Sequence, residues 1–187
     1  MQHSRPVLLK AVTLALTLAA LTSAAPAVAA TATARHPAAS CDKAPFRSLP
    51  ITVKRTVHVP PTPVIKAVRT GKHADCGYDR LVLDIGGKLP GFTVKFVKHV
   101  IADGSGNTIK LPGKRFVLIT LRPAQAHKAS GAPTISGKVH KPGFPMLKAW
   151  VLAGDDEGVV SFGIGLGATT KVRVGKLAGR IFLDFKE

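Results

Sequence analysis

Two hexapeptides constrain this chain more than any other feature: Arg80-Leu81-Val82-Leu83-Asp84-Ile85 and Arg180-Ile181-Phe182-Leu183-Asp184-Phe185. Each alternates apolar residues onto one face, with an arginine and an aspartate on the other, which is the period-two pattern of a half-buried β-strand. The Arg-to-Asp spacing is the same in both. Paired antiparallel around Val82 and Phe182, the strands set Arg80 beside Asp184 and Asp84 beside Arg180. Paired parallel, they set like charges side by side. Opposite-charge cross-strand pairs contribute roughly 0.2–1 kcal/mol each and like pairs cost a similar amount, so antiparallel pairing is expected.

The stretches between read as further strands. Gly86-Gly87 ends the first hexapeptide, and Leu89-Pro90-Gly91 turns the chain into an alternating Phe92, Val94, Phe96 strand. Asp103 to Asn107 is a turn, after which Thr108 to Leu111 pairs back as a hairpin. Arg115 to Leu121 is apolar on both faces and reads as a central strand. Met146 to Ala153 carries the only tryptophan, Trp150, which reads as core. Val160, Phe162, Ile164 and Leu166 line one face of another strand. The glycines in Gly163-Ile-Gly-Leu-Gly167 continue that strand and let another backbone or side chain approach. Earlier, Ile51 to Val59 reads as an edge strand, Val64 to Arg69 as the start of the core, and Thr70 to Cys76 as a loop. Residues 123–145 are poor in apolar side chains and read as a long surface loop, with one turn of helix near Ala124 to Lys128. About nine short strands without an amphipathic helix predict an all-β antiparallel sandwich over residues 64–187.

The first 29 residues read as an export signal: Arg5 and Lys10, an apolar run from Ala11 to Leu21, then Ala27-Val28-Ala29 as a cleavage site. The run is too short for a spanning helix, which needs about 20 apolar residues, and no later run is long enough. Cys41 lies too far beyond it to be a lipid-anchor cysteine. The expected product is secreted, with a proline-rich leader over residues 30–63 (Pro37, Pro45, Pro50, Pro60, Pro61, Pro63). Twenty-seven Lys and Arg against ten acids give a net charge of +17. Outside a cell that balance favours anionic envelope surfaces, without implying a specific nucleic-acid partner. The two cysteines, Cys41 and Cys76, predict one intramolecular disulfide that pins the leader beside Tyr78. Closing that loop stabilises by roughly 3–4 kcal/mol on a chain-entropy basis.

The Arg80-Leu-Val-Leu-Asp84 and Leu177-Ala-Gly-Arg180-Ile-Phe-Leu-Asp184 segments resemble the paired signatures of AMIN domains, β-sandwich modules that target cell-wall amidases and secretion-pore proteins to the bacterial envelope. The fuller pattern resembles the AMIN-like domain of secreted proteins and lipoproteins of high-GC Gram-positive bacteria. It takes in Val68-Arg69-Thr-Gly71-Lys-His73, Tyr78-Asp79-Arg80, Pro90-Gly91-Phe92, Asp103-Gly-Ser-Gly106 and Glu157-Gly-Val-Val-Ser-Phe-Gly-Ile-Gly165. Gly179 stands where the second signature usually has proline. The resemblance implies a sandwich fold and an envelope setting. Peptidoglycan binding comes by analogy with AMIN modules.

Motifs for catalysis are absent: there is no G-x-S-x-G elbow, H-E-x-x-H pair or Walker loop. Asp155, Asp156 and Glu157 form the only acidic run, better read as a solvated turn than as a hydrolytic pair. His73, His99, His127 and His140 lack ligand spacing, so no metal or cofactor is expected. The expected function is a non-catalytic module that binds an anionic wall polymer such as peptidoglycan. Arg69, Lys72, Arg80 and Lys88 make its ionic contacts, and Tyr78 stacks on sugars as an exposed ring. The alternative is a protein–protein module, an envelope scaffold or an inhibitor of a secreted enzyme.

Overall fold

A computed structural model describes residues 41–57, 60–168 and 171–187. The export signal and the leader up to residue 40 lie outside the described residues. The described chain forms β1 (Ile51–Val53), β2 (Val64–His73), a 3-10 turn (Ala74–Cys76), β3 (Tyr78–Gly86), β4 (Gly91–Val97), β5 (Val100–Ile101), β6 (Thr108–Ile109), β7 (Arg115–Arg122), β8 (Leu147–Asp156), β9 (Val159–Leu166), β10 (Val172–Leu177) and β11 (Arg180–Lys186). All strand pairs are antiparallel. One sheet has the order β1-β4-β7-β9-β8 and a second the order β10-β11-β3-β2, while β5 and β6 pair by themselves. The two large sheets pack as a sandwich.

The hexapeptides pair as their charges require. Phe182 stands opposite Val82, Asp184 opposite Arg80 and Arg180 opposite Asp84. This register turns Leu81, Leu83, Ile181 and Leu183 inward, where they meet Val117, Ile119, Phe162 and Ile164 of the other sheet in one core. Truncating a buried side chain such as Leu83 to alanine costs about 2–5 kcal/mol. Strand β7 is central in its sheet, as its two-faced apolar pattern predicts, and Trp150 belongs to the core. The β5–β6 hairpin folds over the outer face of the same sheet and buries Val100 with Val151 and Ala153. Gly163 lies beneath it. A Cβ there would collide with Val100, so this glycine admits a side chain rather than a phosphate.

Three expectations are corrected. Thr70 to His73 is strand, because β2 stays paired with β3 as far as His73 opposite Tyr78; only Ala74–Cys76 turns. The helical turn near Ala124 to Lys128 does not form. Gln125 bridges Val64 and His127 bridges Pro133, and Ala124, Ala126 and Ile135 are buried, so small residues let this loop lie down on the sandwich. The edge strand ends at Val53, and residues 54–57 leave the sheet.

Candidate functional site

Strand alternation places two charged rows on the outer face of the four-stranded sheet. Register sets Arg173, Asp184, Arg80 and Gly71 side by side in one row, and Leu177, Arg180, Asp84 and Ala67 in another. Arg69, opposite Val82, completes the second group. The result is two Arg–Asp–Arg clusters on one face.

The first cluster is buried. Arg80 donates from Nε to Asp184 Oδ1 at 2.5 Å and from Nη2 to Oδ2 at 2.8 Å. Arg173 Nε donates to Oδ2 at 2.7 Å, and its Nη2 lies 2.6 Å from the same oxygen without an aligned hydrogen bond. The side chains of Arg80, Arg173 and Asp184 are 18%, 3% and 0% exposed. Hydrogen bonding to Asp184 raises the Arg80 pKa above its ordinary value, against an opposing effect of burial. What buries them is the segment 41–47. Arg173 Nη1 donates to the carbonyls of Asp42 and Ala44, and the Phe46 ring lies 4.6 Å from its guanidinium carbon. The segment is fixed at both ends. Cys41 is bonded to Cys76 with a Cα separation of 5.6 Å, and Arg47 exchanges two backbone hydrogen bonds with Val172. The expected disulfide is therefore present.

Tyr78 is the clearest correction among the candidate residues. It is 4% exposed rather than a free stacking ring. His73 stacks on it at 4.7 Å between centroids, and the Arg173 guanidinium carbon sits 4.7 Å from its centroid. A tyrosine at the start of a frame strand reads as exposed only if nothing folds back over it, and the disulfide-held segment does so. Phe182 is engaged in a similar way: its ring lies across Gly175, where a Cβ would collide with it, and carries the Arg80 guanidinium carbon 4.3 Å from its centroid.

The second cluster is open. Arg69 grips Asp84 with Nε at 2.5 Å and Nη2 at 2.7 Å, and Arg180 Nε donates to Asp84 at 3.1 Å. Here the arginines are 53% and 50% exposed and the carboxylate 24%. The hydrogen bond from Arg69 holds the Asp84 carboxyl below the usual carboxylate range, and the same bond raises Arg69. Arg69, Arg80, Arg180 and His73 line a hollow of about 260 Å3, together with the apolar Val82 and Leu177. Arginines with donors left over around such a hollow can take a phosphate or carboxylate group.

Of the other candidates, Lys72 is exposed but stands opposite Asp79, alternating away from this face. Lys88 lies on the β3–β4 turn, in a separate hollow with Lys54 and Lys176. The structure thus brings Arg69 and Arg80 together and leaves Lys72 and Lys88 apart. Arg180 was legible from the register but absent from the candidate set. Asp79, part of the Tyr78-Asp79-Arg80 stretch, was also not among the candidates; it is buried and accepts the amides of Met146 and Leu147, tying β3 to the start of β8.

The acidic turn is occupied structurally. Asp155 accepts the Ala126 amide at 2.9 Å and meets His127 Nδ1 at 2.7 Å, which holds the 123–145 loop. His140 stacks on Trp150 at 3.9 Å. Among the described residues no three acidic, histidine or cysteine side chains group as metal ligands.

This is an all-β sandwich carrying one open and one covered basic cluster on a single sheet face. The AMIN-like domain family matches residues 63–187, and the chain belongs to that family. Comparison with curated proteins and with solved structures gives no match. AMIN-like domains are generally non-catalytic binding modules, and membership suggests a cell-wall-associated, extracellular or envelope setting. Among the described residues no helix is long and apolar enough to cross a membrane.

Proposed function

We propose that the protein is an exported, non-catalytic envelope module that holds an anionic wall polymer, peptidoglycan or a polymer attached to it, on the outer face of its four-stranded sheet. The observation that carries this reading is the open Arg69–Asp84–Arg180 cluster beside its hollow. Asp84 orients both guanidinium groups without using all their donors, so an incoming anion meets positioned forks rather than mobile side chains. Arg80 contributes from the hollow's edge while anchored to Asp184. Lys72 and Lys88 act in this reading as outlying charges that attract the polymer over a longer range. Engagement of Asp155 with the loop supports the non-catalytic part.

Retention on purified peptidoglycan sacculi at rising salt tests the reading. Retention is expected to fall as salt screens the exposed contacts, and to fall at low salt in an Arg69→Gln/Arg180→Gln variant. Retention indifferent to both would reject it, and no retention at all would favour a protein partner.

A further inference from the structure

A second basic surface is lined by residues that belong to neither cluster. Residues 54–57 leave β1 and pass between two hollows. One, of about 150 Å3, takes in Lys88 and Lys176; the other, of about 540 Å3, reaches Arg122 and Thr120. Both include Lys54 and Arg55, so the two hollows flank this stretch as one basic strip. Among the described residues no carboxylate lines either hollow. Lys54, Lys88, Lys176 and Arg122 are exposed, and none of the four forms an ion pair among the described residues. They arrive from four separate parts of the chain: the stretch after β1, the β3–β4 turn, β10 and the end of β7.

Like charges gathered without a counter-charge repel one another, and a bound anion relieves that repulsion. A single small anion reaches only one hollow, whereas a linear polyanion fills both. Three of the four cations are lysines, compact point charges that suit singly charged diester oxygens and lack the planar fork that selects carboxylates. In the wider hollow, Thr52, Thr93 and Thr120 fall in one register row across β1, β4 and β7, with the first two hydroxyls 3.2 Å apart. They offer donors and acceptors to polyol or sugar hydroxyls. Among the described residues the one ring there, Phe92, is buried, so these residues offer no aromatic platform on which nucleobases stack. We infer that this strip, with its two hollows, binds a linear polyol or sugar polymer joined by phosphodiesters. The inference shares with the proposed function only the premise of an anionic polymer; its residues, apart from Lys88, are different.

The test is binding of a fluorescent 1,3-linked glycerol phosphate oligomer to the full, disulfide-bonded protein, read by polarisation at low and moderate salt. The wild type is expected to bind and to weaken with salt. Lys54→Gln/Lys88→Gln/Lys176→Gln/Arg122→Gln is expected to bind about tenfold or more weakly, with a flatter salt dependence and an unchanged far-UV spectrum. Lys88→Gln/Lys176→Gln is expected to fall between, as a milder variant. Arg69→Gln/Arg180→Gln is expected to stay within about twofold of wild type, since those side chains carry the sacculus face. A wild type that ignores the oligomer, a quadruple variant that binds as wild type, or displacement by single-stranded DNA better than by unlabelled oligomer would overturn the inference. Retention on sacculi, read through Arg69 and Arg180, is a separate result, so either site can fail without the other.

Discussion

The two Arg–Asp–Arg clusters share a sheet face, a strand pair and a charge pattern, and they differ in what lies above them. Over Asp184 the disulfide-held segment 41–47 supplies carbonyls and an aromatic ring, and the cluster becomes part of the interior. Over Asp84 nothing among the described residues closes the face, and the same chemistry stays in solvent. Ion pairs change character with burial. An exposed pair contributes about 0–1 kcal/mol, whereas breaking a buried one leaves a charge stranded at a cost of about 3–5 kcal/mol. The covered cluster is therefore a structural fastening, and the open one is available for binding. The covering segment also lies before residue 63, where the family match begins. This chain thus closes half of that face with residues from outside the matched region.

The largest test of that difference is the pair of aspartates. Asp184→Asn strands Arg173 in the interior and is expected to cost about 3–5 kcal/mol in denaturant unfolding, against about 1 kcal/mol or less for Asp84→Asn. Equal costs would break the comparison.

The disulfide comes next. Cys41→Ser/Cys76→Ser is expected to lower stability by roughly 3–4 kcal/mol on a chain-entropy basis. It also loosens the cover and lets water reach Arg173, so Asp184→Asn should cost less in that background, by about 1 kcal/mol or more. Asp84→Asn should add to the cysteine change within about 0.5 kcal/mol, because the cover does not touch it.

The smallest effect is a pH dependence confined to the open cluster. Arg69 lowers the Asp84 pKa in the folded state. The stabilisation it gives is full above the unfolded carboxyl value and is lost as pH falls through the lower folded one. Once protonated, Asp84 releases Arg69 and Arg180, so the face gains positive charge. In denaturant unfolding at falling pH, the wild type is expected to lose this small stabilisation, and Asp84→Asn, which never has it, is not.

The sequence carried the sheet face better than its cover. Register followed from the charges at positions 80, 84, 180 and 184, because only one pairing keeps opposite charges adjacent. The place of β7 followed from apolar residues on both faces, and the close approach at Gly163 from a glycine inside a strand. Burial of Tyr78 and Arg173 did not follow, since it depends on the segment 41–47, whose Phe46 ring and Asp42 and Ala44 carbonyls no periodicity links to β3 or β10. The cysteines announced that the leader docks; they could not say that it docks on an arginine. Nor could composition foretell that the 123–145 loop lies down through small residues held by Asp155.

Arginine-selective labelling with phenylglyoxal, read by peptide mass spectrometry on the oxidised protein, measures the difference between the clusters most directly. Arg69 and Arg180 are expected to react readily, and Arg173 to stay protected until a thiol reductant opens the Cys41–Cys76 bond. Labelling of Arg173 as fast as Arg69 with the disulfide intact would contradict the account.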